Sequence, residues 1–139
     1  TAPIRQAAVD QAASKAALGA APAYLYSFNW QTPVLDGRPR AFHCLDIPFV
    51  FNNTDRCDTM TGGGDAARRL SAQIADSWIA FARTGNPNHG GIPAWTAYTP
   101  ADQPCMIWDT KPHLALAPDS DELETISDEL KTIPPQGRG

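Results

Sequence analysis

The chain has 139 residues, 42% hydrophobic and 19% charged, with four Trp, five Phe and three Tyr. That is the size of one domain, and too apolar and aromatic for an intrinsically disordered chain. A net charge of -4 leaves no cation excess to displace phosphate counterions, which argues against nucleic acid as a partner.

The N-terminus, TAPIRQAAVDQ, lacks the charged-then-apolar pattern of a secretory signal, so nothing visible targets the chain for secretion and its compartment is left open. No apolar run approaches the roughly 20 residues of a membrane-spanning helix. Residues 3–18 are Ala-rich and predict a helix ended by Gly19, with a shallow apolar face of Ile4, Ala8 and Ala12. After Pro22, residues 23–30, AYLYSFNW, predict the best strand of the chain. Tyr24, Tyr26, Phe28 and Trp30 share one face, while Ala23 and Leu25 make the other face apolar too. A strand apolar on both faces expects cover on both sides, as in an α/β sheet.

Pro33, Gly37 and Pro39 make 31–40 a loop, and the apolar stretch IPFVF follows at 47–51. Residues 52–64, NNTDRCDTMTGGG, combine turn formers with three glycines and suggest a mobile loop. The clearest helix spans about 66–84, with Asp65 as its expected N-cap and Gly85 and Pro87 as its stop. Leu70, Ile74, Trp78 and Phe81 form its apolar stripe; Asp76 and Ser77 lie beside it and read as solvated. Met106–Trp108 is a short strand candidate, and 119–131 suggests an acidic helix capped by Asp119 before a frayed tail. With one convincing strand, the chain needs a sheet that it does not itself encode. Pro is 13 of 139 residues, about 9% against an average near 5%, and turns and irregular connections account for the surplus.

Cys44, Cys57 and Cys105 are widely spaced and odd in number, fitting neither a disulfide framework nor paired zinc ligands. His43, in RAFHCLD, lies on a loop after the strand, where an α/β enzyme places reacting groups. A neutral imidazole there can take a proton from a hydroxyl nucleophile and return it to a leaving group. The bland alternative is a surface or structurally hydrogen-bonded histidine. His89 and His113 have no acid or nucleophile at a telling spacing and read as ordinary loop residues. None of the serines sits in a G-x-S-x-G elbow, and Gly62-Gly63-Gly64 lacks the lysine of a phosphate-binding loop. Adjacent side chains on a loop diverge, which argues against Cys44 as a nucleophile for its neighbour His43.

Taken in order, YLYSFNW, AFHCLDIPFVFNN, LSAQIADSWIAFARTGNPN and IPAWTAY resemble the C-terminal portion of the type-B carboxylesterases. That family of α/β hydrolases includes the para-nitrobenzyl esterases and the cholinesterases. The resemblance covers roughly residues 1–118. It implies an α/β class: the end of the central sheet of an α/β-hydrolase fold plus covering helices, incomplete on its own. Residues 1–139 would then be one C-terminal segment, with 118–139 an acidic, partly helical to frayed tail.

By the same resemblance, His43 matches the catalytic histidine of the H-x-x-(E/D)-(I/L)-P-F-V-F motif, the general base and then general acid of a Ser–His–acid mechanism. Asp46 matches the acidic position three residues on and is expected to support the loop through hydrogen bonds. The triad acid, nucleophile elbow and glycine-rich oxyanion loop lie N-terminal to this segment in the family. Cys44 stands where many relatives have Gly or Ala. The implied function is the C-terminal part of a carboxylic ester hydrolase that needs no metal or organic cofactor. Its partners would be the N-terminal remainder of the same esterase and a small ester substrate. Lacking oxyanion donors, each worth about 3–4 kcal/mol, the chain alone is expected to be inactive. Two alternatives stand beside this one: a non-catalytic esterase-like protein-interaction module, and an autonomous small domain with an unrelated role.

Overall fold

A computed structural model describes residues 2–118, 120 and 121. The Ala-rich segment forms helix α1 (Ala2–Leu18), and Gly19 closes it with φ +65° and its N–H on the Ala16 carbonyl at 3.1 Å. The aromatic segment forms strand β1 (Leu25–Phe28), shorter than the expected 23–30. Two further strands follow late in the chain, β2 (Pro104–Trp108) and β3 (His113–Leu116). The sheet order is β1-β2-β3: β1 and β2 run parallel with Tyr26 opposite Met106, and β2 and β3 antiparallel with Cys105 opposite Ala115. The chain therefore encodes a small mixed sheet of its own, contrary to the single-strand expectation. The strand β3 carries no local signal, because HLAL is too short for periodicity and gains its ladder hydrogen bonds from β2. His113, expected in a loop, opens that strand.

The two apolar faces of β1 are both covered. Tyr24, Tyr26 and Phe28 pack on a core of Leu45, Phe49, Leu70, Ile74, Trp95, Met106 and Trp108. Leu25, on the opposite face, joins Ala12, Ala23 and Tyr98 with Val9, Ala13 and Ala16 of α1. The packed face of α1 is thus 9/12/13/16 rather than the expected stripe of Ile4, Ala8 and Ala12, and Ile4 is 74% exposed. In a helix this rich in alanine the pattern is nearly uniform around the axis, and tertiary contact chooses the face.

The long helix α4 (Gly64–Thr84) covers the other face, with Leu70 and Ile74 buried as expected. Its N-cap is Gly63, not Asp65, and no side chain caps it. Asp65 instead lies in the first turn and pairs with Arg68 at 2.6 Å, whose hydrogen bond and charge hold the carboxyl below its ordinary range. The stretch IPFVF is helical: α2 spans Ile47–Val50 and packs on α4, with Pro48 at its start and Phe49 fully buried. Phe49 meets Phe28 at 5.0 Å and Trp30 at 5.6 Å between ring centres.

Residues 52–64 are not a plain loop. They form a 3-10 turn (Thr54–Arg56) and a short helix α3 (Asp58–Thr61), with Thr54 and Thr61 buried. Thr61 Oγ1 donates to the Cys57 carbonyl at 3.2 Å, and Trp30 Nε1 donates to the Thr61 carbonyl at 3.3 Å. The expected acidic helix over 119–131 lies outside the described residues apart from Ser120 and Asp121.

Candidate active site

His43 sits on a tight turn between β1's following loop and α2. The Leu45 N–H bonds the Phe42 carbonyl at 3.1 Å and the Ile47 N–H bonds the Cys44 carbonyl at 3.3 Å. Closing that turn places Cys44 at φ +68°, in the left-handed region that a non-glycine residue enters at a cost of about 1–2 kcal/mol. Leu45 anchors the turn inward, fully buried, while His43 and Cys44 are exposed. Among the described residues nothing hydrogen-bonds the His43 imidazole.

The imidazole lines an open cavity of about 870 Å³, shared with Tyr24, Tyr26 and Phe28 of β1 and with Trp78 and Phe81 of α4. The cavity follows the edge of β1, which in the described sheet is hydrogen-bonded on one side only. Asp46, one turn further on, accepts a 3.3 Å hydrogen bond from Tyr26 Oη. Burial, then the Asp46 charge, then that hydrogen bond push the Tyr26 phenol up to about 12. The Tyr26 ring stands edge-on to Trp78 at 5.1 Å. Asp46 thus supports the loop by a hydrogen bond, as expected, and its partner, Tyr26, lies on the aromatic face of the strand. No local signal links the two, since they are 20 residues apart.

Ser77 corrects its expected solvation, while His89 stays a loop residue and becomes its partner. Ser77 is fully buried rather than solvated, and its Oγ lies 3.1 Å from His89 Nε2. The Gly91 N–H donates to His89 Nδ1 at 3.1 Å, so Nδ1 is an acceptor and Nε2 carries the proton. Nε2 then donates to the Gln73 carbonyl at 3.0 Å. An imidazole that already presents N–H toward the serine cannot take the serine's proton, and the pair is a structural clip joining the 86–91 turn to α4. Gln73 Nε2 reinforces it by donating to the Gly91 carbonyl at 2.7 Å. Among the described residues, no three His, Cys, Asp or Glu side chains gather closely enough to hold a metal ion. No disulfide joins the three cysteines; Cys105 is buried and Cys44 exposed. No helix among the described residues is long and apolar enough to cross a membrane.

The arrangement matches solved esterases. An esterase from anaerobic Clostridium hathewayi, described as able to hydrolyse aliphatic aromatic polyesters, aligns with a TM-score of 0.70 and 34% identity, over 77% of this chain and 21% of that one. A Geobacillus stearothermophilus carboxylesterase aligns with a TM-score of 0.67 and 33% identity, over 80% of this chain and 23% of that one. Such esterases have the α/β-hydrolase fold, and the mixed sheet with its covering helices is a part of it. Among curated relatives, the para-nitrobenzyl esterase of Bacillus subtilis (strain 168) is 33% identical over 108 residues, 76% of this chain and 22% of that protein. Phenmedipham hydrolase of Pseudarthrobacter oxydans is 36% identical over 93 residues, 62% of this chain and 18% of that protein. Residues 3–126 match the carboxylesterase family, and the chain belongs to it. It spans about a fifth of the length of these relatives.

Proposed function

We propose that the chain is the C-terminal part of a carboxylic ester hydrolase that works by a Ser–His–acid mechanism, and that His43 is its general base. The observation that carries this reading is the placement of His43. It is exposed on a tight turn, without a hydrogen-bond partner among the described residues, at the wall of an apolar cavity. In that position the imidazole is free to be oriented by an acid and to meet a serine hydroxyl, both supplied by the remainder of the esterase. It accepts the hydroxyl proton as the serine attacks the ester carbonyl, then returns it to the departing alkoxide oxygen. Water repeats the cycle to release the acid.

The one-sided edge of β1, whose residues are all half-buried, and the aromatic groove along it are where that remainder would pack, since a strand apolar on both faces belongs inside an α/β sheet, paired on both edges. With no nucleophile elbow and no oxyanion loop, the chain alone has no esterase activity. The experiment combines this chain with its N-terminal remainder, confirms association, and assays ester hydrolysis. The chain by itself is silent, the complex hydrolyses para-nitrophenyl esters, and His43→Ala abolishes turnover. Activity surviving His43→Ala removes His43 from the mechanism. A complex that assembles without a serine in a G-x-S-x-G setting favours the rival interaction module.

A further inference from the structure

The exposed imidazole of His43 makes no hydrogen bond to the described residues, so its direction is set by the backbone of the turn that carries it. That turn is strained at Cys44, φ +68°, and a residue in this region persists only where its surroundings over-determine it. Two side chains tie the turn to the rest of the molecule immediately after the strained residue. Leu45 is fully buried in the core, and Asp46 reaches Tyr26 Oη at 3.3 Å. Tyr26 is itself fixed twice over, by β1, where it pairs with Met106, and by its edge-on contact with Trp78 of α4 at 5.1 Å. The Asp46 backbone continues the line of force: its carbonyl accepts the N–H groups of Phe49 and Val50, both at 3.0 Å, and starts α2.

A leucine in a core resists displacement but tolerates rotation, whereas a hydrogen bond, even one as long as 3.3 Å, has a direction. The Tyr26–Asp46 contact therefore adds to the turn's own backbone bonds a directional tie to β1. We infer that Tyr26 is a positioning residue for ester hydrolysis, holding the 42–46 turn through Asp46 so that the His43 imidazole meets the nucleophile in register. The inference rests on His43 being the base. Tyr26 takes no proton from the substrate; it acts only through Asp46, and the neutral hydroxyl is the form that donates.

The test uses the complete esterase, this chain with its N-terminal remainder, with active sites counted by stoichiometric phosphonylation with a fluorophosphonate, fluoride being the leaving group. Counting sites separates turnover from the fraction folded. Tyr26→Phe keeps the ring and its contact with Trp78 and lowers kcat per active site about tenfold, the order expected for a slight misplacement of a reacting group. KM stays within about twofold and the apparent pKa of the kcat/KM profile does not move, because the base keeps its surroundings. Asp46→Ala gives the same loss and the double variant no more, as for two residues acting through one contact. Asp46→Asn, whose amide oxygen still accepts from Tyr26, restores most of kcat. Wild-type kcat per site in Tyr26→Phe, losses that add in the double variant, or a shifted pH profile in Asp46→Asn each overturn the inference. His43→Ala in the same assay separates the two levels. If it stays active, the base assignment falls and the inference with it; if it is dead while Tyr26→Phe is unimpaired, only the inference falls.

Discussion

The Tyr26 hydroxyl donates to Asp46 Oδ2 at 3.3 Å, joining the middle of β1 to the turn that carries His43. Burial is the largest reason that this phenol is held up to about 12, with the Asp46 charge and hydrogen bond adding to it. Below the ordinary tyrosine value of 10.0, Tyr26 is protonated in both the folded and unfolded chain, and stability does not depend on it. Between 10 and about 12 the unfolded chain loses the proton while the folded chain keeps it, so stability falls as pH rises through that window. Burial raises Tyr98 as well, so ultraviolet titration of the folded chain, compared with Tyr26→Phe, is expected to assign one of the late-titrating phenols to Tyr26. Asp46→Asn brings that titration down toward the ordinary value without reaching it, because desolvation remains. A Tyr26 that ionises with the ordinary value in the wild type contradicts the buried contact.

Cys44 pays for its left-handed backbone without burying its side chain. Glycine enters that region freely but gives up about 0.5–1 kcal/mol of unfolded-state entropy, against a relief of about 1–2 kcal/mol. Cys44→Gly is therefore expected to be neutral to stabilising by about 1 kcal/mol in urea unfolding. Cys44→Val, with a branched β-carbon, is expected to destabilise. A stabilised valine variant is incompatible with the turn described.

The clip between Ser77 and His89 predicts an asymmetry. Ser77→Ala removes one hydrogen bond, and His89 Nε2 keeps the Gln73 carbonyl, so the loss is about 0.5–1 kcal/mol. His89→Ala leaves the fully buried Ser77 hydroxyl and the Gly91 N–H without this partner and costs about 2–3 kcal/mol. Thermal unfolding of the two variants gives the order directly. Ser77→Ala is also expected to leave the activity of the assembled esterase in place; its loss would show that the serine takes part in the reaction.

Gly62 ends α3 at φ +79°, and a β-carbon there would lie 2.3 Å from Pro33 Cγ and 2.4 Å from Cδ. A proline ring cannot swing aside, so Gly62→Ala combines backbone strain with a clash and is expected to cost more than about 2 kcal/mol. Gly85, at φ +75° after α4, has open space around it. Gly85→Ala bears the strain alone, about 1 kcal/mol. Equal midpoints for the two in chemical unfolding would exclude the Pro33 contact.

Several elements were legible before any coordinates. The Ala-rich run with Gly19, the stripe Leu70–Ile74–Trp78 and the doubly apolar AYLYSFNW each carry a local signal; α1 and α4 follow theirs closely, and β1 takes the middle of its own. The histidine motif running into IPFVF pointed to the carboxylesterase family, which residues 3–126 match. The helical state of IPFVF was not legible, because four apolar residues suit a strand or a helix and only packing on α4 decides. The same holds for Ser77, whose position beside an apolar stripe says nothing of a turn that folds back over it.

By itself, then, the sequence determined the main helices, the strand with two faces to cover, and the loop position of His43, since each is written in neighbouring residues. Tertiary structure alone decided that β3 exists, that α1 packs by 9/12/13/16, that His89 closes on Ser77, and that Tyr26 holds Asp46. These are contacts between segments distant in the chain. Their hydrogen bonds and burial become favourable only once the whole sheet brings both partners together.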